Sequence, residues 1–160
     1  MKKVLFLDID GVLNTNWWEY KPEVDQYGYA FDPRAVANLA TIIKETGADI
    51  VISSSWKFMG LTKMQEMWVD RRLPGKLIGI TPNTVSDEML LTADLDNMEF
   101  FDIRGHEIKE WLSKHKVDRY AILDDMDTIL PEQTLHFVIT NPMVGITKED
   151  AEKVIEILNS

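Results

Sequence analysis

The sequence predicts an α/β fold built on a mainly parallel sheet, and three features carry that reading. Short uninterrupted apolar runs recur along the chain, helical periodicity fills the stretches between them, and three of the runs end abruptly in acids or hydroxyls. A strand covered by helices on both faces needs apolar side chains at every position, whereas a half-exposed strand alternates. Strand and helix in alternation then imply right-handed crossovers and an open, doubly wound sheet.

The elements follow in order. Lys3 to Leu7 is the first apolar run and ends at Asp8. Residues 12 to 31, rich in Trp and Tyr, read as a loop or hairpin. Asp32 is an N-cap with Pro33 at the first helical position; Val36, Leu39, Ala40 and Ile43 recur at helical spacing, and Gly47 supplies the stop. Ala48 to Ile52 is the second strand and releases Ser53, Ser54 and Ser55. A helix from Leu61 to Arg71 places Leu61, Met64 and Trp68 on one side before Pro74 and Gly75 end it. Leu77 to Ile80 and Phe137 to Thr140 are weaker strands. Residues 82 to 103 read as a second loop or small insert, with a solvated acid run from Asp87 to Asp102. Arg104 to His115 carries Ile108, Trp111 and Leu112 on one face, and Tyr120 to Leu123 is a strand releasing Asp124, Asp125 and Asp127. Thr147 with Asp150 three residues on forms a variant capping box, opening a last helix that buries Ala151, Val154, Ile155 and Leu158.

Composition narrows the function classes. The 160 residues suit one domain, and the absence of Cys removes disulfide, thiolate and zinc-finger chemistry. Seventeen Lys and Arg against 27 Asp and Glu give a net charge of −10, which disfavours an extended nucleic-acid surface because such binding relies on cations displacing counterions from phosphates. No stretch approaches the roughly 18 apolar residues of a membrane span. The opening apolar stretch, Val4 to Leu7, is too short for a secretory leader, so a cytoplasmic location is expected.

Ligands of open parallel sheets bind beyond the carboxyl ends of the strands. Here those ends offer Asp8, Asp10 and Gly11, then the three serines, then Asp124 and Asp125. If the strands are neighbours, several carboxylates converge, and their mutual repulsion is relieved only by a cation. Hard oxygen donors in that number suit Mg²⁺.

The order of these pieces resembles the haloacid dehalogenase (HAD) superfamily: an apolar strand ending in Asp8-Ile9-Asp10-Gly11, a strand ending in Ser, a basic helix start, and a strand ending in Asp124-Asp125. The stretches LDIDGVLN, SSSWK, RGHEIKEWL and AILDDMD are similar to the HAD domains grouped with Swiss Army knife RNA-repair proteins. The resemblance implies a three-layer Rossmann-like fold. Its activity would be Mg²⁺-dependent phosphomonoester hydrolysis through an aspartyl-phosphate, on a nucleotide, a polynucleotide end or a small phosphorylated molecule. By motif, Asp8 becomes the nucleophile and Asp10 the general acid and base. Ser54, with Ser53 as the alternative, would contact the phosphate, with Arg104 as the stabilising cation and Lys57 and Lys109 in reserve. Asp8, Asp10, Asp124 and Asp125 would serve the metal, with Asp127 a weaker candidate. Only about 40 residues separate Asp8 from the serines, which leaves no room there for a large cap domain; residues 12 to 31 then correspond to the family's flap.

Structural alternatives stand beside these roles. An Asp-x-Asp after a strand also forms simple turns, the serines also cap strand ends, and Arg104 also suits a surface ion pair. Trp17, Trp18 and Tyr20 either stack on a flat substrate group or staple the flap to the core, and Trp56 is assigned to the core. The three histidines have no ligand spacing. The competing functional class is a HAD-fold binding module without turnover; a receiver-like signalling domain fits less well, because its acids do not open the chain as Asp-x-Asp-Gly.

Overall fold

Continuous apolarity in the first strand is matched by its position. In the computed structural model, which describes residues 1–18, 24–83 and 102–160, the elements run in this order. β1 (Lys3–Leu7) is followed by a small antiparallel hairpin of β2 (Val24–Asp25) and β3 (Gly28–Tyr29), then α1 (Pro33–Thr46), β4 (Asp49–Ile52), a 3-10 helix at Ser55–Met59 and α2 (Leu61–Asp70). After them come β5 (Leu77–Ile80), α3 (Ile103–Ser113), β6 (Arg119–Asp124), a 3-10 helix at Pro131–His136, β7 (Phe137–Ile139) and α4 (Lys148–Asn159). Five strands form one parallel sheet in the order β5-β4-β1-β6-β7. This is the α/β, mainly parallel architecture that the sequence predicts.

Successive residues of β1 serve opposite faces. Leu5 and Leu7 join a core cluster with Leu39 and Ile42 of α1, Met64 and Met67 of α2, and Val154 and Leu158 of α4. Val4 and Phe6 point the other way, into a second cluster with Ile108 and Trp111 of α3. Phe6 meets the rings of Trp111 and Tyr120 edge-on, at 5.5 and 5.9 Å between centroids.

Helix boundaries follow local chemistry. The buried Asp32 carboxylate accepts the Arg34 amide at 2.9 Å and the Thr15 hydroxyl at 2.8 Å, so the cap of α1 also pins the loop leaving β1. At Gly47 the chain turns with φ of 67°, a conformation that favours glycine. Thr147 and Asp150 bond each other's backbone amides at 3.1 and 3.0 Å, and the expected box opens α4. α3 stops at Ser113, short of the predicted His115, whose ring folds back to stack on Trp111 at 3.8 Å. Ile155 and Leu112, expected in the core, are half-buried at its edge.

Two expectations fall largely on other residues. Tyr20 of the flap, and residues 84–101 of the insert with most of its acid run, lie outside the described residues. Within them, no helix is long and apolar enough to cross a membrane.

Candidate active site

Strand register builds the site. Leu7 stands opposite both Ile52 and Leu123, so the next residues, Ser53, Asp8 and Asp124, leave three adjacent strands side by side. The alignment is fixed by hydrogen bonds from the Ser53 amide to the Leu7 carbonyl at 2.9 Å and from the Asp8 amide to the Leu123 carbonyl at 3.0 Å. The outer strands extend the row: the Thr81 amide donates to Ile52 and the Thr140 amide to Asp124. Thr81, Ser53, Asp8, Asp124 and Thr140 are each at most 4% exposed, an unusual line of buried polar groups at one edge of a hydrophobic sheet.

Charge concentrates in the middle of that row. Ligand oxygens of Asp8, Asp124 and Asp125 lie within 4.8 Å of one another. One guanidinium nitrogen of Arg104 bonds both the Asp8 and the Asp124 carboxylates at 2.9 Å, and the Ser53 carbonyl at the same distance. Burial would lower the Arg104 pKa, but the Asp124 and Asp8 charges outweigh it and hold the group above its ordinary value. Asp124 is pushed up to about 8, first by burial and then by the negative charge of Asp8; Arg104 offsets only part of this. Asp125 is also raised, by burial and by a hydrogen bond with Asp8 together with its charge. Three acids against one Arg leave a carboxylate excess that fits a hard divalent cation.

Gly11 makes the third acid fit. It has φ of 78°, and a side-chain carbon there would overlap the Asp125 carboxylate. Its carbonyl accepts the Thr140 hydroxyl at 2.8 Å, so the fifth strand holds the turn leaving the first.

The other expected residues separate by position. Asp10 is exposed, and its carboxylate does not join the buried acids; Oδ1 accepts Asn14 Nδ2 and Trp56 Nε1, each at 3.1 Å. Ser53 Oγ is buried with no hydrogen-bond partner among the described residues, whereas Ser54 Oγ caps the following 3-10 helix by accepting the Trp56 amide at 3.3 Å. Lys57 directs its ammonium to Glu107 at 2.6 Å and to Thr81 Oγ1 and the Pro82 carbonyl, each at 3.3 Å. Lys109 lies outside the row, beside Glu132 at 3.6 Å, and Asp127 is exposed.

Beside Asp10 opens a cavity of about 410 Å³, bordered by Asn14, Trp18, Tyr29 and Trp56 among others. Trp56 is therefore not simply core: it packs edge-on against Phe31 at 5.6 Å while its indole N–H reaches Asp10. Trp17 is exposed, with the Arg34 guanidinium 3.7 Å above its ring.

Residues 4–151 match the model of a family described as the HAD domain in Swiss Army Knife RNA repair proteins. The chain belongs to that family. No curated protein matches the chain. Membership agrees with the acid row and points to phosphatase-type hydrolase chemistry, in a superfamily that usually employs a divalent metal.

Sequence reading missed Thr81, Thr140, Asn14 and Glu107. The two threonines carried a usable signal, since Thr81 follows one of the weaker apolar runs and Thr140 ends the other, much as Ser53 follows a strong one. Glu107 gains its role from contact with Lys57, fifty residues away, and Asn14 from the turn that brings it back onto Asp10, four residues earlier.

Proposed function

We propose that this HAD domain hydrolyses phosphomonoesters through an aspartyl-phosphate on Asp8. The observation that carries the reading is the Asp8 carboxylate, buried at the end of the central strand, 2.9 Å from Arg104 and grouped with Asp124 and Asp125. Mg²⁺, held by Asp8, Asp124 and Asp125, would neutralise the acid excess and polarise the phosphoryl oxygens. The Asp10 side chain is left for proton transfer.

The chain's own groups then divide the work. An Asp8 oxygen attacks phosphorus, forming one P–O bond as the ester P–O bond breaks, and the leaving oxygen takes a proton from Asp10. Water next attacks the phosphorus, gives its proton to Asp10, and displaces the Asp8 carboxylate with release of inorganic phosphate. Arg104 stabilises charge on the transferred group. Ser53, with an uncommitted buried hydroxyl, serves a phosphoryl oxygen better than Ser54, whose hydroxyl already caps a helix. Lys57 supports the site from the side through Glu107 rather than as the main phosphate cation.

For substrate, we favour a nucleotide or a polynucleotide end. The family's link to RNA repair and the aromatic border of the cavity at Asp10 support this, and the net charge of −10 argues against extended backbone contacts. Release of inorganic phosphate from nucleotides, 3′- and 5′-phosphorylated oligonucleotides and small phosphoesters is the test. Mg²⁺ should restore turnover to chelator-treated protein, and wild-type and Asp8→Asn proteins that are equally active would contradict the reading.

One observation favours a second reading. Arg104 already bonds both Asp8 and Asp124, an ion pair that a silent binding module would preserve. Absence of Mg²⁺-dependent phosphate release across the panel would select it.

A further inference from the structure

We infer that Trp56 is a positioning residue for Asp10, a role that rests on the reading of Asp10 as the group exchanging protons with the leaving oxygen. The indole N–H donates to Asp10 Oδ1 at 3.1 Å, and Asn14 Nδ2 donates to the same oxygen at the same distance. An indole nitrogen can only donate, so the oxygen that it meets is committed as an acceptor. Among the described residues Oδ2 receives no hydrogen bond, and it is the oxygen left to serve the substrate. In the protonated acid, rotation about the last torsion, otherwise broad and two-fold, would turn the O–H oxygen toward these two donors and weaken both bonds, so the proton is kept on Oδ2.

Trp56 is well placed to impose this choice. It sits in the 3-10 helix that starts at Ser55, directly after Ser53 and Ser54, and its amide is held by the Ser54 hydroxyl at 3.3 Å. Its ring is edge-on to Phe31 at 5.6 Å and packs against the larger core cluster. The Ser-bearing strand end thus reaches across to a group on the β1 exit, so the phosphate side and the proton-transfer side of the site are set in one frame. Trp56 and Asp10 both border the 410 Å³ cavity, which places the oriented carboxyl at the mouth of the space open to a leaving group.

Such a residue leaves a distinctive kinetic signature. A general acid matters most for an alkyl ester, whose alkoxide leaves poorly, and least for a nitrophenyl ester, whose phenolate leaves readily without a proton. The test compares wild type, Trp56→Phe, Asp10→Asn and the double variant on 4-nitrophenyl phosphate and on glycerol phosphate, with Mg²⁺ saturating. Trp56→Phe keeps the ring and removes the donor. Its kcat/KM, which reports the first phosphoryl transfer alone, should fall roughly 10- to 100-fold on glycerol phosphate, the scale of a misplaced catalytic group, and less than about threefold on the aryl ester. In the Asp10→Asn background the same change should cost little more. Equal losses on both esters, or fully additive losses, would overturn the role while leaving the hydrolase reading intact. A wild type inert toward both esters would remove the reaction and the role together. If Trp56→Phe fails to fold, the assigned indole ¹H–¹⁵N resonance of Trp56 in the wild type replaces it: Asp10→Ala should shift that signal, and an unmoved signal overturns the contact.

Discussion

Asp8 and Asp10 leave the same strand two residues apart and meet opposite surroundings. Asp8 is buried between two acids and a guanidinium, in a row of strand ends where every neighbour is polar or charged. Asp10 is exposed and meets only neutral donors, an amide and an indole, at the edge of an open cavity. The first setting suits a nucleophile aimed at a bound phosphoryl group, the second a group facing the leaving oxygen, which is the division of labour proposed above. Strand periodicity alone would put residues two apart on the same face; the turn after Leu7 divides them, with the Ile9 carbonyl accepting the amides of Val12, Leu13 and Asn14 and Gly11 at φ of 78°.

The largest test of this contrast is Asp8→Asn. Removing the nucleophile should lower kcat at least about 10⁴-fold on any ester, whatever its leaving group; a circular dichroism spectrum like the wild type would show that the loss is chemical. Arg104→Ala comes next. Loss of a preorganised charge at the phosphoryl group should lower kcat/KM roughly 10²- to 10³-fold, measured by phosphate release. Ser53→Ala should cost about 10- to 100-fold as one hydrogen bond to a charged group is lost, and Ser54→Ala less. The reverse ranking of the two serines would mean that the strand end is turned over on substrate binding.

A smaller effect concerns pH. Asp124 titrates near 8 in the folded protein against an ordinary value of 3.8, so between these limits the native state binds more protons than the unfolded chain. Stability of the metal-free protein should therefore fall as pH rises from about 4 to about 8. Thermal melts across that range should show the decline, and Asp124→Asn should flatten it. Added Mg²⁺ should raise Tm most at the alkaline end, where the acid cluster carries its full charge. The least effect belongs to a helix cap outside the acid row: Thr147→Ala should cost about 1 kcal/mol in denaturant unfolding, with kcat/KM little changed.

Much of the fold could be read from the chain because its rules are local. Continuous apolar runs mark strands covered on both faces, and Asp32, Gly47 and Thr147 mark helix ends with their own side chains or backbone angles. The acid row was legible for a further reason: parallel strands in register deliver the residues after each run to one edge, so Asp8, Ser53 and Asp124 meet without any long-range guess. What depends on contact between distant segments was not legible. Trp56 looks like core in the sequence, and only the approach of the Ser55–Met59 helix to the β1 exit turns its indole toward Asp10. The ion pair of Lys57 with Glu107, fifty residues away at 2.6 Å, has no local signal. Ser53 and Ser54 are alike in the sequence; only the fold shows that the Ser54 hydroxyl caps the following helix while, among the described residues, the Ser53 hydroxyl has no hydrogen-bond partner.

Chemical trapping addresses the central claim most directly. Protein turning over a phosphomonoester with Mg²⁺ is quenched with borohydride, which reduces an acyl phosphate to the alcohol, and the peptide containing residues 3–10 is then sequenced by mass spectrometry. Reduction is expected at Asp8, absent without substrate and absent in Asp8→Asn. Modification at Asp10 or Asp124 instead, or steady turnover by Asp8→Asn, would contradict it.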